Sequence, residues 1–100
     1  MAITNRNELE KIARDLYTDA TAHGVWTDWY IDSNNMIAFD ITWGDWKHDH
    51  MRLDWIVTEW CWDNGYEVEY SDTVVTDEDG SDTYSGTHYY RIGKADSHRF

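Results

Sequence analysis

Residues 25–43 read VWTDWYIDSNNMIAFDITW, and the fold follows from this stretch. Its two ends, 25–32 and 36–43, are rich in β-branched and aromatic residues, which suit a pleated, half-buried surface. Ser33, Asn34 and Asn35 between them are turn residues, since asparagine tolerates positive φ better than most side chains. In the second segment Ile37, Phe39 and Ile41 alternate with Ala38, Asp40 and Thr42, which places the apolar residues on one face. The stretch predicts an antiparallel hairpin with one side to bury.

The flanking sequence supplies the cover. Upstream, Leu9, Ile12, Ala13, Leu16, Tyr17 and Ala20 recur at the spacing of one helical face. Asn5 with Glu8 three residues later forms a capping-box pattern, and Gly24 supplies a left-handed stop, so a helix is expected over 5–23. Downstream, Gly44 and Asp45 are expected to break the strand. Leu53, Ile56, Val57, Trp60 and Cys61 then define a second helix, capped by Asp45 or Asp49 and ended at Asn64-Gly65. Residues 66–92 predict a second hairpin. Tyr66, Val68 and Tyr70 alternate with Glu67 and Glu69, while Tyr84, His88, Tyr90 and Ile92 share one parity of the returning strand. Asp77-Glu78-Asp79-Gly80 reads as its turn, and the tail after Gly93 as loosely held. The expected fold is α+β in the order α-β-β-α-β-β. Two helices pack on one face of a four-stranded, mainly antiparallel sheet whose other face meets water.

At 100 residues the chain has room for a single domain, 1–100, with one core. Seven tryptophans, seven tyrosines and two phenylalanines supply apolar area that disordered acidic chains lack. Cys61 stands alone, so no intramolecular disulfide forms and no oxidising compartment is needed. No segment has the apolar length of a signal peptide or a bilayer span, so the expected location is the cytoplasm.

Charge carries the functional reading. Twenty acidic against eight basic residues leave a formal charge of −12, which disfavours direct grip on nucleic acid or docking on an anionic membrane. From Leu53 to Tyr90 there is no Lys or Arg, while Asp54, Glu59, Asp63, Glu67, Glu69, Asp72, Asp77, Glu78, Asp79 and Asp82 accumulate. A solvated surface ordinarily mixes both signs, because interspersed cations relieve carboxylate repulsion. Plain solubility or salt adaptation is one explanation; a cationic partner supplying the missing counter-charge is the other, and the aromatic content favours it. Same-face carboxylates two apart on a strand, as expected for Glu67 and Glu69, stand roughly 6.5–7 Å apart. Glu59 and Asp63, four apart on a helix, have Cβ atoms roughly 5–6 Å apart. Both spacings are comparable, within side-chain reach, to the spacing of phosphates along a nucleic-acid strand. Trp55, Glu59 and Trp62 share the helix face opposite Leu53, Ile56 and Trp60, which sets two indoles either among the carboxylates or against the neighbouring hairpin.

In size, acidic run, aromatic content and mixed α/β make-up, the chain resembles small acidic phage proteins that act as DNA mimics, among them anti-CRISPR and anti-restriction inhibitors. That class shares no motif, so no residue carries over individually. The resemblance implies a non-catalytic inhibitor that fills the basic channel of a phage-defence nuclease, most often a CRISPR effector. Its binding residues are expected to be Trp55, Glu59, Trp62, Asp63, Glu67, Glu69, Asp72, Asp77, Glu78, Asp79 and Asp82. The alternative is an acidic adaptor or immunity-type protein that neutralises a basic partner without imitating DNA.

Other motifs are weaker. His48-Asp49-His50, with Cys61 or His88, has only a first ligand pair, and is better read as an exposed helix start with two histidines. The run 77–82 lacks the register of a calcium loop. No phosphate loop, nucleophile elbow or nuclease constellation is present, and Cys61 reads as a small buried hydrophobe, so neither catalysis nor a cofactor is expected.

Overall fold

The computed structural model describes residues 1–95. It shows the expected order: α1 (Arg6–Ala22), β1 (Asp28–Ile31), β2 (Ile37–Asp45), α2 (Met51–Asp63), β3 (Tyr66–Glu78) and β4 (Thr83–Lys94). The strands form one antiparallel sheet in the order β1-β2-β4-β3, so the two hairpins join through β2 and β4. No described helix is long and apolar enough to cross a membrane.

Local chemistry sets the element ends. The Asn5 side chain accepts the Glu8 N–H at 2.9 Å, satisfying one donor that the first turn of α1 leaves open. Past the other end of α1, Gly24 takes φ +79°. In the first hairpin turn Asp32 Oδ1 accepts the N–H groups of Asn34 and Met36, and Asn35 adopts φ 60°. The core lies between sheet and helices. Leu9, Ile12, Ala13, Leu16 and Ala20 of α1 and Leu53, Ile56, Val57 and Cys61 of α2 close over Ile37, Phe39, Ile41, Tyr90 and Ile92. Burying each larger aliphatic or aromatic side chain contributes about 1.5–3 kcal/mol, which outweighs the weak intrinsic preference of any one element. Ile3 joins this core, and its N–H donates to Ile92 O at 2.9 Å.

Two expectations for the middle of the chain are corrected. Gly44 and Asp45 do not break the second strand. β2 runs through a bulge after Ile41, where Trp43 takes φ 56°, and resumes with Gly44 opposite Tyr84 and Asp45 opposite Thr83. Gly44 is required by packing, since a Cβ there would stand 2.4 Å from Ile41 Cγ2 and 2.9 Å from His50 Nε2. The following turn, Trp46–His50, is π-helical. Asp45 caps it by accepting from the Lys47 and His48 N–H groups, while Asp49 Oδ2 accepts the Asp45 N–H at 2.7 Å. The expected pair of exposed histidines also separates: His48 is exposed beside Asp45, whereas His50 is only 2 % exposed. The wider π turn rotates His50 inward beneath β4.

At the C-terminal end, Lys94 still belongs to β4 and the Ala95 N–H donates to Gly65 O. The rest of the tail expected to be loose lies outside the described residues.

Candidate functional site

α1 presents Asp15, Thr18, Asp19 and Ala22 at helical spacing beside its buried stripe. α2 presents Trp55, Glu59 and Asp63 in the same way. The two rows face each other across an open groove of about 630 Å³, floored by Ile56 and Trp60 and ended by His23. Among the described residues, four carboxylates line it and no Lys or Arg does. His23 meets the Trp55 ring edge-on at 6.4 Å, and its Nδ1 lies 2.8 Å from Asp19 O. Trp60 lies flat against Tyr66, with centroids 5.7 Å apart and planes 4° apart. Trp60 therefore sits at the core boundary, short of the full burial its spacing with Leu53 and Ile56 implied. Trp55 and Trp62 are 56 % and 61 % exposed, and Trp55 stands between the groove carboxylates on one side and a hollow lined by Lys47 and Arg52 on the other. Carboxylates beside an indole face attract a guanidinium or ammonium by charge and by cation–π attraction together.

The remaining expected residues lie on the second hairpin, apart from this groove. Glu67 pairs with Gly93, but the register shifts between Val68 and Tyr70. The expected Glu67–Glu69 row is thereby corrected: Glu69 is the extra residue of a β-bulge, so the two-residue period fails there. Its carboxylate lies over Gly93 and forms an ion pair with the Met1 amino group at 2.9 Å. Asp72 and Asp77 pair with Tyr89 and Ser85 on the sheet face away from the helices, and Glu78 pairs with Tyr84 on the helix side. In the turn, Asp79 accepts from the Ser81 N–H and the hydroxyls of Ser81 and Thr83, which hold its carboxyl below the usual carboxylate range. The backbone carbonyl of Asp82 accepts the Trp46 N–H at 2.9 Å, tying the hairpin end to the π turn.

The open sheet face carries features that parity alone did not single out. Ala38 pairs with Tyr30 on one side and Tyr89 on the other, and the two hydroxyls meet 3.3 Å apart. Ala38 is fully buried in that row. The hydrogen bond to Tyr89 pushes the Tyr30 hydroxyl up to about 12. In the next row Asp28 and Thr87 flank Asp40, whose carboxylate accepts the Thr87 hydroxyl. Arg91 lies 5.5 Å from the centre of the Tyr70 ring.

Two histidines, His50 and His88, pair on the helix side. His50 Nε2 lies 3.0 Å from Tyr84 O, His50 Nδ1 lies 2.7 Å from His88 Nε2, and His88 Nδ1 lies 3.1 Å from Thr73 Oγ1. A carbonyl only accepts, so His50 carries its proton on Nε2. His88 Nε2–H then donates to His50 Nδ1, and the Thr73 hydroxyl donates to His88 Nδ1. Burial, and then the nearby His50, push His88 down to about 4. Burial also lowers His50, against the opposing effect of the Tyr84 carbonyl. Among the described residues, no group of three or more His, Cys, Asp or Glu is placed to hold a metal ion.

Asp15 and Asp19 are site residues the sequence reading did not select. Their four-residue spacing beside the Leu16–Ala20 stripe was visible, but only helix pairing shows that they face Glu59 and Asp63. No protein-family model, curated protein or solved structure matches the chain.

Proposed function

We propose that this protein is a DNA-mimicking inhibitor that enters the basic nucleic-acid channel of a phage-defence nuclease. One observation carries the reading: ten carboxylates without a single Lys or Arg between Leu53 and Tyr90, accompanied by the exposed indoles of Trp55 and Trp62. Self-repulsion of such a field costs stability, and a cationic cleft relieves it on binding. The groove carboxylates Glu59 and Asp63, with Asp15 and Asp19, take cationic side chains of the cleft, and Trp55 fills an apolar recess beside them. The hairpin carboxylates, Asp72 and Asp77 on the open face, Glu78 on the helix side and Asp79 and Asp82 in the turn, add a second patch of negative charge. Glu67 lies at the base of that patch, whereas the Glu69 carboxylate, already paired with the Met1 amino group, adds little to it. Resemblance to small acidic phage inhibitors makes CRISPR effector nucleases the first targets to test.

The experiment is competition. Increasing protein should displace labelled duplex DNA from the nuclease, and displacement should weaken as salt rises, because exposed charges are screened beyond a Debye length of about 8 Å at physiological ionic strength. E59K combined with D63K should abolish displacement. If the nuclease binds the protein and the duplex together, the mimic reading fails. That outcome would favour the acidic adaptor, which the exposed tryptophans also suit because a DNA backbone has no counterpart to them.

A further inference from the structure

β3 is an edge strand of thirteen residues, and from Glu69 to Glu78 every residue on it is exposed. Neither sheet face of this stretch is covered. Tyr70, Val74 and Val75 are about half exposed, which is unusual for a strand this long. The Thr73 N–H is taken by its own neighbour, Asp72 Oδ1, at 2.9 Å, which marks it as pointing away from β4. By the period of a strand, the N–H groups of Ser71 and Val75 turn the same way. On the helix side, α2 begins short of this strand and leaves a hollow of about 360 Å³, bounded by Trp46, Met51, Asp54, Thr73 and Tyr84.

We infer that β3 is a docking edge for an extended, cationic segment of the partner, which adds a fifth strand along Tyr70–Asp77. The inference rests on the reading of the partner as a basic protein. Charge selects the occupant: a second copy of this chain, itself at −12, would bring its own Asp72, Asp77 and Glu78 against the same residues. Edge carboxylates and the two bulges of β3 thus keep copies of this chain apart while attracting a basic strand. Strand periodicity assigns the partner's side chains. Residues of one parity meet Asp72 and Asp77 on the open face and are Lys or Arg. Residues of the other parity meet Thr73 and Val75, enter the hollow toward Trp46 and Met51, and are aliphatic. Arg91 against Tyr70 shows a cation already settled on an aromatic of this strand. Main-chain pairing supplies affinity and the alternating side chains supply selectivity.

The test uses the intact, isotope-labelled protein and two capped peptides at millimolar concentration. One alternates Lys and Val; the other has the same charge but Pro at every second Val, so it cannot pair. The first should slow amide exchange at Ser71, Thr73 and Val75 by about tenfold or more, and the second should leave those amides unchanged. Unslowed exchange with the first peptide, or equal slowing with both, overturns the proposal. V75P, which removes an outward donor, should lose the protection while keeping exchange within the β4 ladder slow. If V75P loses peptide protection yet displaces duplex DNA from the nuclease as well as the parent does, edge pairing is refuted as the contact and the mimic reading stands. If the parent protects its edge but never displaces DNA, the mimic reading fails alone.

Discussion

Acidification should destabilise this protein through His88, against the trend set by its net charge. His88 is 5 % exposed and neutral, and its ring lies between Thr73 and His50. With Nε2–H already donating to His50, protonation adds an N–H at Nδ1, which deprives the Thr73 hydroxyl of its acceptor and leaves a charge in a buried site. The sign follows from linkage. The folded-state value is depressed from 6.5 to about 4, so the stabilisation is complete above pH 6.5 and is lost as pH falls toward 4. The separation corresponds to about 3 kcal/mol, from roughly 1.4 kcal/mol per pH unit. Asp45 and Asp49 face His50 and moderate its shift, and Asp54 lines the hollow beside the pair. Neutralising carboxylates over the same range relieves repulsion and stabilises the fold, so wild type alone mixes two opposite trends. The difference from H88Q isolates the histidine. Urea unfolding followed by tryptophan fluorescence, from pH 7.5 to 4, should show the wild-type advantage shrinking by about 3 kcal/mol. A constant difference would refute the argument. So would ring-nitrogen NMR placing the His88 proton on Nδ1, because the hydrogen-bond chain ending at Tyr84 O requires it on Nε2.

Three further outcomes are expected. G44A should cost about 1–3 kcal/mol in thermal melts, because its Cβ would overlap Ile41 and press on His50. N5A should cost about 1 kcal/mol by removing the cap of α1, and far-UV dichroism should show fraying confined to that helix. W55A should leave the urea midpoint nearly unchanged, since the indole is 56 % exposed, yet weaken nuclease binding by more than tenfold in titration calorimetry; the reverse pattern would assign Trp55 to the fold alone.

The groove shows what is legible in a sequence and what is not. Helical spacing placed Trp55 and Glu59 on the rim of α2 opposite Leu53 and Ile56, and exposure agrees. Spacing within one helix contains no information about its neighbour, so Asp15 and Asp19 joined the site only when α1 packed beside α2. The bulge at Glu69 escaped for a similar reason. Alternation of Tyr66, Val68 and Tyr70 continues unbroken in the sequence, whereas in the fold the register shifts between Val68 and Tyr70 and the Glu69 carboxylate folds over Gly93 to meet the Met1 amino group.

His50 is the sharpest divergence. Its polar neighbours His48 and Asp49 mark an exposed turn, and only the π-helical winding after the β2 bulge turns the ring under β4 to meet His88. What the amino-acid order determined alone was periodicity, caps, turns and the segregation of charge, because each depends on residues within a turn or two of one another. Which carboxylates share a groove, which histidines pair and which strand is left at the edge were decided by tertiary packing, since those relations join residues far apart in the chain and arise only when the apolar faces close.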